Sequence, residues 1–105
     1  MNDEIADRGS PRWCFVLYKA GNKETMVRAE STLRRLCERF VKDQYEIIVK
    51  DVFNDDIELP PDLLVVPTVI RVAPPPQRRV VGDFSQADKA AEWLGLSNVD
   101  LVDGL

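Results

Sequence analysis

The stretch that decides the fold is Val65–Ser85, which reads VVPTVIRVAPPPQRRVVGDFS. Two runs of mostly apolar, β-branched residues are separated by three consecutive prolines, Pro74, Pro75 and Pro76. Each proline fixes φ at about −65° and has no N–H, so the three cannot join the hydrogen-bond ladder of a sheet. We therefore predict two strands joined by a stiff connector, with the second strand running from Arg78 to the residue before Gly82.

Three more elements precede this stretch. The apolar run Trp13–Tyr18 predicts a strand buried on both faces, ended by a turn at Ala20–Asn22. In Glu24–Val41 apolar residues recur every three or four positions, which predicts an amphipathic helix. Tyr45–Phe53 is rich in β-branched and aromatic residues and predicts a second strand. A strand, a helix and a strand in this order favour a parallel pair joined by a crossover helix.

The remaining segments are a connection and a last helix. Pro60 and Pro61 forbid a long helix between the second strand and Val65, although one helical turn at its end stays open. Ser85–Asp88 resembles a capping box, so we predict a final helix that begins there and ends at Gly95.

The predicted order β-α-β-(α)-β-β-α indicates an α/β fold of the thioredoxin-like type. Val66-Pro67-Thr68 resembles the segment in which that fold places a cis-proline at the start of a strand. We expect one domain over residues 12–96, a disordered N-terminal tail over 1–11 and a short acidic C-terminal tail over 97–105.

Composition excludes several function classes. The chain has 105 residues, 45% of them hydrophobic, which is enough to bury one core. Its net charge of −4 gives no basic surface for nucleic acid, and we expect no membrane association because no apolar run is long enough. Without a histidine, catalysis by a histidine base and zinc sites with a histidine ligand are excluded. A cytoplasmic protein without a signal peptide is the expectation.

Two cysteines, Cys14 and Cys37, bear on a redox function. Both lie in apolar patterns, so we expect buried free thiols. A thioredoxin-like redox enzyme needs Cys-x-x-Cys at the first strand-to-helix turn, where the helix lowers the pKa of the attacking thiol. Here that turn is Gly21–Thr25 and has no cysteine, which leaves redox catalysis the weakest alternative.

Acidic residues cluster at Asp55, Asp56 and Glu58. They lack the ligand spacing of a calcium loop, so we interpret them as a solvated face or a helix cap and expect no metal and no cofactor.

Arg78 and Arg79 open the strand after the prolines. Side chains alternate along a strand, so the two arginines should point to opposite faces. They fit two hypotheses equally: charges that protect an edge strand from uncontrolled pairing, or contacts to an anion or an acidic partner.

The pattern as a whole resembles the KaiB family, over roughly Trp13–Leu96. The blocks that carry the resemblance are Leu17–Asn22, Val27–Ala29, Val49–Val52, Pro67-Thr68 and Pro74–Ser85. The triproline block that continues into Gly82-Asp83 is the most specific of them.

The resemblance implies a non-enzymatic adaptor that binds the N-terminal ATPase ring of a KaiC-type hexamer, a RecA-like ATPase. Such an adaptor regulates the phosphorylation state or output of the ring, in circadian or stress-adaptation signalling, and KaiA or a histidine kinase are further possible partners. The alternative is a KaiB-like sensor domain of histidine-kinase signalling. The resemblance also implies a possible homo-oligomer, dimer or tetramer, and a metamorphic ground-state fold, β-α-β-β-α-α-β, beside the thioredoxin-like one.

Carried over residue by residue, the resemblance makes Asn22, Arg28, Arg78, Arg79 and Asp83 candidate partner contacts. Pro67 is the cis-proline candidate, and the connector prolines Pro74, Pro75 and Pro76 are structural. This chain departs from the family pattern at Lys23–Met26, at Pro60-Pro61, and at Trp93 and Gly95 in the last helix. Because two prolines interrupt the central connection, we expect the thioredoxin-like state to be favoured.

Overall fold

Four strands and two helices make up the described part of the chain. The computed structural model describes residues 12–53, 59–63, 65–82 and 84–96. The elements are β1 (Trp13–Lys19), α1 (Glu24–Phe40), β2 (Tyr45–Asp51), β3 (Thr68–Ala73), β4 (Arg78–Val81) and α2 (Ala87–Leu94). The predicted mixed α/β order is confirmed: a strand and a helix are followed by three strands and a last helix.

The strands form a single sheet in the order β2-β1-β3-β4. β1 and β2 are parallel, with Leu17 opposite Val49, whereas β3 is antiparallel to both β1 and β4. A parallel βαβ half is thus joined to an antiparallel ββα half, and β2 and β4 lie at the two edges.

Both helices pack on the same face of the sheet, because their apolar stripes meet there in one core. α1 contributes Ala29, Leu33, Leu36 and Cys37, which follow the predicted spacing, and α2 contributes Ala90, Ala91 and Leu94. The sheet supplies Phe15, Leu17, Val69 and Val80 to the same cluster. We call this the helix face.

The opposite face of the sheet carries a smaller cluster. Val16, Tyr18 and Ile70 are buried there and contact Leu63 and Val66, which belong to the connection between β2 and β3. The connection therefore covers the face that neither helix covers, and we call it the connection face.

β2 and α2 depart from their predicted bounds, and the connection between β2 and β3 settles a point that the sequence left open. β2 ends at Asp51, two residues before the predicted end, because the Asp51 carboxylate accepts a hydrogen bond from the N–H of Phe53 and the chain turns. α2 begins at Ala87 with Gln86 as its N-cap residue, one position after the predicted Ser85, and the Gln86 side chain makes no cap hydrogen bond. The helical turn left open before Val65 is a hydrogen-bonded turn, in which Leu63 N–H donates to Pro60 O over 3.0 Å.

Prolines shape the C-terminal half. The peptide bonds Val66–Pro67, Ala73–Pro74 and Pro75–Pro76 are cis. α2 ends at Gly95, whose φ of +81° lies in the left-handed region that glycine adopts without a steric penalty. The predicted tails, 1–11 and 97–105, lie outside the described residues, and no helix in the described ranges is long and apolar enough to cross a membrane.

Candidate partner-binding site

Asn22 lies in the turn between β1 and α1, at the carboxyl end of the parallel strands. Gly21 has a φ of +72°, which lets the chain reverse there, and its N–H donates to Asp51 Oδ1 over 3.1 Å. Asn22 is exposed, and its Oδ1 accepts a hydrogen bond of 2.8 Å from Lys19 Nζ. The turn is thus fixed to the end of β2 by a buried carboxylate, while the Asn22 side chain faces outward.

Arg28 is one helical turn into α1, on its outer face. Its Nη2 lies 3.1 Å from Glu24 Oε2, an i,i+4 ion pair on the surface. Exposed pairs of this kind contribute little to stability. Asn22 and Arg28 are thus both exposed, Asn22 just before α1 and Arg28 within it.

Arg79 lies on the connection face of edge strand β4. It is opposite Ile70 in the ladder, and its Nη1 is 3.2 Å from Asp62 Oδ2. The hydrogen bond from Arg79 lowers the pKa of Asp62, whose side chain is solvent-exposed. Arg79 thereby joins β4 to the connection that covers this face.

Arg78 points to the helix face, as the alternation of side chains requires. It is opposite Arg71 in the ladder, and its positive charge lowers the pKa of Arg71 further, after the larger effect of burial. No carboxylate in the described ranges pairs with Arg78, which is exposed. The two neighbouring arginines thus have different environments, one paired with Asp62 and one beside another cation.

Arg71 is a buried cation that sequence reasoning missed. Only 5% of its surface is exposed. Its Nη1 donates to Leu94 O over 2.8 Å and its Nη2 to Pro76 O over 2.7 Å, and the guanidinium carbon lies 5.4 Å from the centre of the Trp13 ring. An arginine inside the apolar run Val69–Val72 was the available signal, because a charge at a core position needs fixed partners.

The structure brings some of the predicted contacts together and separates others. Asn22 and Arg28 lie near the start of α1. Arg78 and Arg79 lie in β4, which β3 separates from β1 in the sheet. The connector prolines lie between β3 and β4, and Pro67 directly precedes β3. Asp83, the fifth candidate contact, lies outside the described residues.

The thiols do not form a redox pair. Cys14 belongs to β1 and alternates with the helix-face residues Trp13 and Phe15, whereas Cys37 is buried in the helix-face core. Cys14 is half-buried, so the expectation that both thiols are buried is wrong for Cys14. Burial raises the pKa of Cys37 to about 12, which keeps this thiol protonated and a poor nucleophile at neutral pH.

The described residues contain no group of three or more cysteine or carboxylate side chains placed to hold a metal ion. The candidate contacts are exposed polar side chains on fixed elements, and a shallow apolar groove of about 180 Å³ is lined by Val52, Leu59, Leu63, Val65 and Val66. This arrangement suits contact with another macromolecule.

Comparison with known proteins gives one consistent result. The family model described as the KaiB domain matches residues 16–96. The circadian clock oscillator protein KaiB of Synechococcus sp. (strain CC9311) is 37% identical over 97 residues, covering 90% of this chain and 82% of that protein. The protein of the same name from Thermostichus vulcanus is 38% identical over 88 residues, covering 83% and 82% respectively.

A solved structure supports the fold independently. Chloroplastic thioredoxin z superposes with a TM-score of 0.59 at 19% identity, over 95% of this chain and 87% of that one. At this identity the likeness concerns the fold alone, and it establishes the thioredoxin-like architecture.

Proposed function

The chain belongs to the KaiB family, and from this membership we propose that it is a non-enzymatic adaptor that binds the N-terminal ATPase ring of a KaiC-type hexamer. Its relatives are named as circadian clock oscillator proteins. In this proposal the chain works in the cytoplasm and changes the phosphorylation state or output of the ring.

The observation that carries the proposal is the extent of the family match. It covers residues 16–96, and so includes both the turn at Asn22 and the triproline block with its two arginines. The environment of the cysteines argues in the same direction, because a deeply buried thiol without a partner thiol is unsuited to disulfide exchange.

For the contact surface we propose Asn22, Arg28, Arg78, Arg79 and Asp83, the residues that match the family pattern. Arg78 and Arg79 point to opposite faces of β4, so a flat interface at this edge would engage one of them far more than the other. Charge reversal of each arginine in turn therefore reports which face meets the ring.

The test is gel filtration of the protein with the KaiC-type hexamer of its own organism and ATP. We expect co-elution at the size of the ring complex, and loss of co-elution in Arg79→Glu or Arg78→Glu. Lys89→Glu, a reversal of an exposed charge on α2, is the matched control and should bind normally. An intact hexamer that does not retain the wild-type protein would overturn the proposal.

A second measurement addresses regulation. The phosphorylated fraction of the hexamer is followed in time with and without the adaptor, and with KaiA added where the organism has one. A change that depends on the adaptor supports the regulatory part of the proposal, and an unchanged time course in a mixture that forms the complex contradicts it.

A further inference from the structure

β4 is an edge strand whose outer side is open. It pairs with β3 alone, and three of its four residues, Arg78, Arg79 and Val81, are exposed. A strand at the edge of a sheet has unpaired N–H and C=O groups on its outer side, and an extended chain can pair with them. The register of β4 on β3 identifies which groups these are.

Two residues of β4 direct their backbone groups outward. In an antiparallel pair, hydrogen-bonded and non-hydrogen-bonded positions alternate. Gly82 N–H donates to Pro67 O over 2.9 Å, which makes the position directly after β4 a hydrogen-bonded one. Along the register, Val80 is therefore hydrogen-bonded to β3, whereas Val81 and Arg79 are not. The N–H and C=O groups of Arg79 and Val81 point away from β3, to where an added strand would lie.

An apolar groove lies between β4 and α2. It has a volume of about 140 Å³, and Val80, Phe84, Ala90 and Trp93 are among the residues that line it. Trp93 is 54% exposed, although an indole ring gains much from burial. On an added strand, the residue opposite Val80 directs its side chain to the helix face, where this groove is. The groove therefore favours an apolar side chain at that position.

Arg78 indicates the charge of the added strand. It is exposed on the helix face, and no carboxylate in the described ranges pairs with it. The cation opposite it, Arg71, is buried and has an Nε that lacks a hydrogen-bond partner among the described residues. On an added strand, the positions opposite Arg78 and Val80 are two residues apart and share one face. A carboxylate at the first position and an apolar side chain at the second would complement β4.

A second copy of this chain fits the edge poorly. Arginines on an edge strand discourage pairing in general, and a strand with a carboxylate is the exception. β4 itself reads Arg-Arg-Val-Val, so two paired β4 strands would bring four arginines together without a carboxylate. Pairing of β4 with β2 of another copy would be a head-to-tail contact, which continues into a filament unless it closes into a ring. The described residues therefore favour an extended segment of a different protein.

We propose that β4 binds the ATPase partner by strand addition, in which an extended segment of the hexamer pairs with the outward N–H and C=O groups of β4. A carboxylate of that segment contacts Arg78, and an apolar side chain two residues away packs against Trp93. The inference rests on the proposed function and specifies how one part of its contact surface is used. Arg79 contributes through its backbone, because its side chain is already paired with Asp62.

Amide hydrogen exchange tests the backbone pairing without a substitution. The full chain exchanges alone or bound to the intact hexamer with ATP, and NMR after release gives the rate at each N–H. Exchange at the Arg79 and Val81 N–H groups should slow at least about tenfold in the complex. The Val80 N–H is bonded to β3 and should exchange slowly in both states, which makes it the internal reference.

Val81→Pro tests whether the outward N–H forms a hydrogen bond. Proline is tolerated on an edge strand where the missing N–H faces away from the sheet, and a circular dichroism melt verifies folding. The affinity for the hexamer should fall about tenfold, because a carbonyl of the partner is left unpaired. Val81→Thr is the comparison, since it changes the same side chain and keeps the N–H, and it should lose much less affinity.

Arg78→Gln and Trp93→Ser test the two side-chain positions. Each should weaken binding about fivefold or more. Arg78→Gln should also make the affinity less dependent on salt concentration, because it removes an exposed cation from the interface. Lys42→Gln is the matched control: Lys42 is exposed just before β2, at the opposite edge of the sheet, and its loss should change neither quantity. Unchanged binding by Arg78→Gln would overturn the assigned carboxylate contact.

The outcomes separate the two proposals. If the wild-type chain does not bind the hexamer, the proposed function is wrong and this inference falls with it. If the chain binds while the Arg79 and Val81 N–H groups exchange as fast as in the free chain, or if Val81→Pro and Val81→Thr bind equally well, strand addition alone is wrong. If sedimentation shows that Val81→Pro abolishes self-association while hexamer binding is unchanged, the edge pairs with a second copy and the inference is overturned.

Discussion

In the N-terminal half, β1 and β2 have seven residues each and α1 has 17, and a continuous apolar stripe holds them together. In the C-terminal half, β3, β4 and α2 have only six, four and eight residues. There a single buried arginine, Arg71, connects the strand, the proline connector and the end of α2.

The difference concerns how stabilisation is distributed. Apolar burial in the first half is spread over many side chains, so no contact decides whether β1, α1 and β2 assemble. In the second half, two hydrogen bonds from one guanidinium link segments that are 23 and five residues from Arg71 in the chain. We therefore expect core substitutions to act on the whole domain and substitutions around Arg71 to act mainly on β4 and α2.

The largest effect is expected for Leu33→Ala. Leu33 has no exposed surface and lies in the core shared by both helices. Its truncation leaves a cavity and should lower the free energy of unfolding by about 3 kcal/mol, within the usual range for such sites. Urea unfolding followed by circular dichroism measures it, with Val81→Ala at a half-exposed position as the control. Similar losses in the two variants would contradict the assigned core.

Arg71→Met should have the next largest effect, about 2 kcal/mol. The substitution removes two charge-assisted hydrogen bonds to the carbonyls of Leu94 and Pro76, and the gain from removing a buried charge offsets part of that loss. Native-state hydrogen exchange should show faster exchange in α2 and β4 and little change in α1. Arg78→Met, at an exposed arginine opposite it in the ladder, is the control. Equal acceleration in α1 would contradict a local role.

The same contrast explains which features were predictable from sequence. The period of three and four residues in α1 and the apolar runs of β1 and β2 give each element locally, so their positions were predicted to within two residues. Pro74–Pro76 likewise placed the connector between β3 and β4. These features depend on neighbours in the sequence.

The roles of Arg71 and Asp51 were not predicted, because they depend on residues distant in sequence. Arg71 reaches the carbonyl of Leu94, and Asp51 reaches Gly21, 30 positions earlier. An arginine in an apolar strand and an aspartate at a strand end were visible in the sequence, but only the tertiary structure identifies their partners. The separation of Arg78 from Arg79 was predicted, since it follows from strand alternation alone.

Gly95→Ala tests how closely Arg71 depends on the end of α2, with an expected loss of about 1–2 kcal/mol. At a φ of +81° any Cβ is strained, and here it would also meet the Arg71 guanidinium. Gly21→Ala, at a similar φ of +72° and with only van der Waals contact to the Phe53 ring, reports the backbone cost without that clash.

The double variant Gly95→Ala with Arg71→Met isolates the clash. If the guanidinium is the cause, the additional cost of Gly95→Ala over Gly21→Ala should disappear when Arg71 is absent. Chemical denaturation of the four variants and the wild type measures this coupling. Strictly additive losses would show that Gly95 is required for its backbone conformation only.

The smallest effect is expected at Arg79, the exposed counterpart of Arg71 in the C-terminal half. Its hydrogen bond lowers the pKa of Asp62, so the ionised carboxylate is favoured in the folded state. The resulting stabilisation is present at neutral pH and is lost as the pH falls from the ordinary aspartate range through the lowered pKa. Because the pair is exposed, solvent screens it, and Arg79→Met should leave stability at neutral pH almost unchanged.

An NMR titration of the Asp62 carboxyl carbon detects what stability measurements would miss. In the wild type its pKa should be below the ordinary value, and in Arg79→Met it should rise towards that value, with the backbone hydrogen bond of Asp62 still lowering it. Arg78→Met, which removes a charge from the other face of the same strand, should leave the Asp62 titration unchanged. An Asp62 pKa that shifts equally in both variants would mean that the charge of β4 acts as a whole, and that the opposite orientations of the two arginines have no electrostatic consequence.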